Sequence, residues 1–267
     1  MQILLYLTKN NGKGIIAKDD YNTQEELVKN WVWILFVTGI MLVVIHLTNA
    51  PLWVVVVIFM PILTVSLVFG SVWYNFRSSL EMEDVPKYGY APRLKELENE
   101  ASKLEALGFR KIDQFYFKTI PDSISFVLKH EDEPIYFLIY HFGQKYAYDF
   151  LTRFEREYYL TTSSAIESGL VPRPEKSMLQ IYPNMAYHRV LEEHRESFQY
   201  IKQKGIGVYD VPEAEFRYFF LKNYRDHAAF IKKLPFWPIA LIIRTISRPG
   251  KAYCKRIKEQ YPNDLPQ

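Results

Sequence analysis

Four consecutive hydroxyls, Thr161, Thr162, Ser163 and Ser164, are the residues of this chain best suited to nucleophilic chemistry. A hydroxyl becomes a nucleophile when an imidazole stands within hydrogen-bond reach to take its proton. His130, His141 and His194 are the candidate bases. The surroundings argue against the pairing. No GxSxG elbow encloses the serines, and a polar cluster after an apolar run is the ordinary end of a strand. His194 and His227 fall on apolar helical stripes and read as core histidines. His130 and His141 sit at the ends of adjacent strands, but the turn between them registers 130 near 135, so they do not face each other. His188 and His194 are six residues, or roughly 600°, apart on a helix and point in different directions.

Other chemistries lack their signatures. Phosphate-cradling GxxxxGK[ST] and GxGxxG are missing, and so is HExxH. The single cysteine, Cys254, excludes an internal disulfide and a multi-cysteine zinc site. Glu131, Asp132 and Glu133 form a turn, and Glu192 and Glu193 a solvated helix face. No catalytic, cofactor-binding or metal-binding residue is therefore assigned, and no cofactor is expected.

The element that dominates the sequence is the stretch from Asn30 to Phe76, which contains no Lys, Arg, Asp or Glu. A bilayer's apolar core takes about 20 residues per helical span, so the stretch is long enough for two. Asn49 and Pro51 divide it, Pro51 suiting the first turn of a second helix. The spacing predicts a two-helix transmembrane hairpin, with Trp31, Trp33, Trp53 and Trp73 as membrane-interface anchors. Lysines and arginines on both flanks predict a two-pass protein of the bacterial inner (plasma) membrane with both termini cytoplasmic. No secretory signal is visible ahead of it.

Around this anchor the chain divides into five parts. Residues 1–29 read as an N-terminal β-hairpin arm, built on an Asn-Gly turn, with a short helix after it. The hairpin occupies 30–76, and 77–92 form a charged, proline-containing linker. Residues 93–230 form an α+β domain. Leu94, Leu97, Ala101 and Leu104 mark a helix that stops at Gly108. Alternating apolar runs then predict an antiparallel meander of about five strands, because the short connections leave no room for crossover helices. SMLQIYP offers one further strand, and two helices, after Pro183 and after Pro212, are expected to cover one face of the sheet. The expected class is membrane-anchored α+β.

Residues 231–267 form a basic amphipathic tail. Lys232, Lys233, Arg244, Arg248, Lys251, Lys255, Arg256 and Lys258 frame the apolar run around Trp237, the pattern of a segment that contacts a membrane surface. Thirty-three basic against 30 acidic residues give a net charge of +3, too even to predict nucleic-acid binding.

LEALGF at 104–109, REYYLTTSS at 156–164, Pro172 and Pro174, and LEEH at 191–194 resemble a scattered group of uncharacterised bacterial membrane-anchored proteins. These share a Leu-Gly-Phe start, a Leu-Thr-Thr-Ser strand end and a Leu-x-x-His helix. The resemblance spans roughly 104–205 and implies no activity. YYLTTSSAIESGL is also similar to a strand of bacterial pleckstrin-like domains, although the helix at 93–107 and the two trailing helices depart from them. The expected function is a membrane-anchored interaction domain, an accessory or assembly subunit whose partners are membrane lipids and other membrane protein subunits. The alternative is an enzyme or sensor acting on a lipid or lipid-linked ligand.

Overall fold

The structure is a computed structural model that describes Gly39, Trp53, Ser247 and residues 82–84, 91–117, 123–142, 145–169, 172–234 and 252–266. The chain separates into two units, Met1–Tyr74 and Asn75–Gln267, and all the elements below belong to the second. In order they are β1 (Met82–Glu83), α1 (Ala91–Glu105), β2 (Phe109–Phe117), β3 (Ser123–His130), β4 (Tyr136–Phe142), β5 (Lys145–Arg153), β6 (Tyr159–Ser163), β7 (Ser177–Ile181), α2 (Tyr187–Gln203), α3 (Phe216–Lys233) and α4 (Ile257–Gln260).

The expected transmembrane hairpin is not supported. Among the described residues no helix is long and apolar enough to cross a membrane. Its physical reason is visible in the longest, α3, whose 18 residues include Arg217, Lys222, Arg225, Asp226, Lys232 and Lys233. Of the stretch 30–76 only Gly39 and Trp53 lie among the described residues. The membrane-anchored class and the two-pass inner-membrane placement with cytoplasmic termini are corrected with it. The arm at 1–29 lies outside the described residues.

The sheet has seven strands in chain order, β1 to β7. β1 through β6 pair antiparallel, and β6 with β7 parallel. The count exceeds five because the linker contributes the two residues of β1 and SMLQI joins as β7. The closing parallel pair requires the chain to return from the end of β6 to the start of β7 before Ser177.

Central strands that are apolar on both sides require cover on both. Ile124, Phe126 and Leu128 of β3 join Phe137 and Ile139 of β4 on one face, where Leu97, Ala101 and Leu104 of α1 and Val190 and Leu191 of α2 pack. Val127, Tyr136 and Leu138 point the other way, against Phe216 and Phe219 of α3. The two trailing helices therefore cover opposite faces, not one. Residues 206–211 carry the chain past the sheet end. Glu155 N–H donates to Gly207 O at 2.9 Å, and Tyr209 N–H to Arg153 O at 3.1 Å. Tyr136 on β4 reaches the Val211 carbonyl from below.

Gly108 closes α1 at φ 82°, in the left-handed region that favours glycine. A Cβ there would stand 3.1 Å from His130 Nε2, so the site also needs glycine for room. The β2 edge is guarded against further pairing. A register shift interrupts the strand between Lys111 and Asp113, and Lys111 Nζ turns inward to lie 3.7 Å from the Phe126 ring centroid.

Candidate functional site

Three polar constellations interrupt the packing. The first lies under α2. Thr162 on β6 and Gln180 on β7 are register partners, and Thr152 follows one row along β5. His194 hangs over them from the buried stripe of α2. Its Nε2 is 2.9 Å from Thr152 Oγ1 and its Nδ1 2.7 Å from Thr162 Oγ1. Gln180 Nε2 donates to Thr162 Oγ1 at 2.8 Å, and Ser197 Oγ donates to Gln180 Oε1 at 2.8 Å. Each nitrogen of the neutral ring thus has one threonine hydroxyl for a partner, one nitrogen donating and the other accepting. The imidazole is neutral and saturated. Burial, with a smaller contribution from the Arg195 charge, pulls its pKa down to about 3.

This is a hydroxyl beside a base, but a sealed one. Thr162 and His194 are both 0% exposed, so no substrate carbonyl can approach the oxygen. The serines of the TTSS run bond elsewhere. Ser163 Oγ is 2.8 Å from Ser168 Oγ, and Ser164 Oγ accepts the Tyr148 N–H at 2.9 Å. His130 Nδ1 accepts the amides of Asp132 and Glu133, each at 3.2 Å, and its Nε2 faces Arg195 at 3.0 Å. His141 Nε2 stands 3.5 Å from Glu96. The structure brings none of the three candidate bases to Ser163 or Ser164.

The second constellation lies on the α3 face. Asp149 sits on β5 between Leu138 and Ser163 in register. Tyr140 donates to its Oδ2 at 3.3 Å, while Oδ1 has no hydrogen-bond partner. Burial pushes the carboxyl pKa up, against the opposing pull of Ser163, Arg173 and Tyr140. Burial likewise lowers Arg173, with Asp149 resisting. Arg173 reaches Thr161 and Ser177 only through long contacts of 3.4 and 3.5 Å, and its Nε is unpartnered. Nearby, His227 Nε2 bonds Pro172 O at 2.6 Å, and burial lowers that imidazole to about 4.

The third is a flank rather than a core site. Residues 252–266 lie along α2 and the β7 edge. Arg256 donates through Nε to Glu193 Oε2 and through Nη2 to Glu193 Oε1, each at 2.6 Å, and its Nη1 stands 2.9 Å from Glu196. Tyr182 completes the Glu193 carboxylate at 3.0 Å. The bond from Arg256, seconded by Tyr182, holds Glu193 below the usual carboxylate range. Ile257 and Leu265 are buried with Leu160, Met178, Phe198 and Ile201. Gln260 Nε2 donates to Leu179 O at 2.9 Å, capping the outer edge of β7.

Of the basic residues expected to contact a membrane, those among the described residues stand in different surroundings. Arg256 is committed to Glu193, and Lys258 stands 3.5 Å from Glu196. Lys232 and Lys233 are exposed at the end of α3, and Lys255 is exposed ahead of α4. Trp237, Arg244, Arg248 and Lys251 lie outside the described residues, as do Trp31, Trp33 and Trp73; Trp53 is exposed. Among the described residues no three His, Cys, Asp or Glu side chains converge as a metal would require. Sequence reading set Glu193 aside with Glu192 as a solvated helix face and made nothing of Glu196. Their spacing of three marks one helix face, but nothing local points to a partner 63 residues away.

Against protein-family models, curated proteins and solved structures alike, the chain finds no match.

Proposed function

We propose that this chain acts by binding another protein, as an accessory subunit of a larger assembly, and not by catalysis. One observation carries the reading: the flank of α2 and β7 grips residues 252–266 in large part by main-chain carbonyls. Tyr158 Oη donates to Pro266 O at 2.5 Å and Tyr200 Oη to Tyr261 O at 2.5 Å, and Lys204 Nζ donates to Asn263 O. Donors aimed at carbonyls, with side-chain pockets between them, are how folded domains read peptides. The hydroxyl and imidazole that might have done chemistry, Thr162 and His194, are meanwhile used up inside the core.

The test is the mass of the native particle. The chain alone has a mass of 31.7 kDa. Isolated under native conditions from its source and weighed by native mass spectrometry, it is expected with a second polypeptide in fixed stoichiometry. Recovery of the lone chain would refute the reading.

A further inference from the structure

The grip on residues 252–266 separates into parts that read different features of a peptide. Glu193 and Glu196 present a paired carboxylate surface, and a single guanidinium engages both, bidentate on Glu193. Bidentate geometry selects arginine over lysine, because only the planar fork offers two parallel donors. The adjoining pocket accepts the next side chain: Ile257 is 0% exposed. Beyond it the recognition becomes indifferent to sequence. Tyr200, Lys204 and Tyr158 take the carbonyls of residues 261, 263 and 266, and an apolar position follows the register at Leu265. Next to Lys258 an open depression of about 400 Å³, lined by Arg195, Glu196, Gln199, Tyr200 and Gln203, extends the groove outward along α2.

The contacts also divide unevenly in strength. The buried apolar anchors are two side chains, Ile257 and Leu265, with Tyr261 half-buried beside them, and the charge pairs are partly open to water: Arg256 is 33%, Glu193 17% and Glu196 48% exposed. The pair to Glu196 contributes little against solvent and is weakened by salt, so the arginine's share rests on the bidentate bond to Glu193. A segment held this way opens far below the free energy of global unfolding.

We infer that the α2–β7 flank is a peptide-docking groove, that residues 252–266 occupy it as an internal surrogate, and that its external ligand is a segment of another protein bearing an arginine followed directly by an aliphatic residue. The inference rests on the partner-binding reading and names its site. The tethered segment competes at high effective concentration, so an incoming peptide gains access only when the internal one is weakened or outnumbered.

The experiment uses the full chain and a fluorescent synthetic peptide of residues 252–266. Arg256→Glu in the chain sets a carboxylate against Glu193 and Glu196 and loosens the surrogate. Fluorescence anisotropy is expected to show that this variant binds the wild-type peptide at least about tenfold more tightly than the unaltered chain does. Losing a charge-assisted bidentate contact should weaken a peptide carrying Arg256→Glu by about tenfold or more. In the unaltered chain, amides of 257–266 are expected to exchange with deuterium well ahead of those in β3 to β5. A folded R256E chain that takes up no peptide overturns the inference, as does exchange of 257–266 only with global unfolding. A concentration-dependent dimer of the unaltered chain that R256E abolishes assigns the groove to a second copy's segment and overturns the foreign ligand. Failure of peptide uptake alongside a persistent native assembly refutes the groove alone. A lone native chain that still binds peptide refutes the accessory-subunit reading alone.

Discussion

His194 makes the stability of the fold fall as the solution becomes acid. Its folded pKa, about 3, lies below the ordinary imidazole value of 6.5. As pH falls through 6.5 the unfolded chain takes up a proton that the folded chain refuses. Stability is therefore complete above 6.5 and declines from there toward 3. Each pH unit inside that window removes about 1.4 kcal/mol per proton, so pH 5 removes about 2 kcal/mol relative to pH 8. His227, lowered to about 4 by burial and the Arg173 charge, removes a similar about 2 kcal/mol by the same sign. Asp149 acts oppositely: its folded pKa is raised, so the folded state binds its proton first and gains stability as pH falls. Glu193, held low, loses its contribution only below the ordinary carboxylate range. These other groups are common to a variant and its parent and cancel in their difference. Urea denaturation of the full chain, followed by far-ultraviolet circular dichroism at pH 8 and pH 5, isolates His194 when the parent is compared with His194→Gln. The variant should be about 2 kcal/mol less stable at pH 8, since one threonine loses its partner in a dry site. Its further loss on going to pH 5 should be smaller than the parent's by about 2 kcal/mol. Parallel losses in the two proteins would mean that His194 titrates alike folded and unfolded, and the sealed-network account would fail.

Two other sites allow equally direct measurements. The β5–β6 turn places Arg156 and Glu157 at φ 56° and 63°, where side chains with a Cβ are strained. Asn and Gly suit both positions, so the double change Arg156→Asn, Glu157→Gly should stabilise the chain by about 1 kcal/mol after the entropy of the added glycine. A lower thermal midpoint would contradict this. On the α3 face, Arg173→Met removes the positive charge that offsets burial of the Asp149 carboxyl and should destabilise the chain at neutral pH by about 1 kcal/mol. Adding Asp149→Asn should recover most of that loss. Additive costs in this double-mutant cycle would show that the two charges do not sense each other.

Several features of the domain were legible locally. The three- and four-residue spacing of Leu97, Ala101 and Leu104 and the glycine at 108 announce α1 and its end, because a helix and its left-handed stop are local events. Alternation in β3 and the doubly apolar run of β4 announce strands, and short turns dictate antiparallel neighbours over β2 to β6. That His194 and His227 belong to the packing was legible too, from their places on apolar stripes.

Other features depended on distance. Apolar residues on both sides of β4 demand two covering layers, yet nothing in 204–215 says that the chain crosses the sheet end between α2 and α3. The crossing is decided by the bond of 209 to the end of β5, that of 207 to Glu155 just beyond it, and the Val211 carbonyl at Tyr136. The parallel partnership of β6 with β7 likewise depends on strands brought together across the intervening chain. A charge-free stretch is a statement about composition, and composition cannot place its residues; no described helix bears out the membrane hairpin it suggested. Arg256 shows the same division most clearly. By itself the sequence determined that a fixed positive charge precedes an aliphatic residue in a basic segment. Only the tertiary structure decided that the charge meets Glu193, because a bidentate ion pair depends on two side chains converging to within 3 Å. Separation along the chain carries no trace of that.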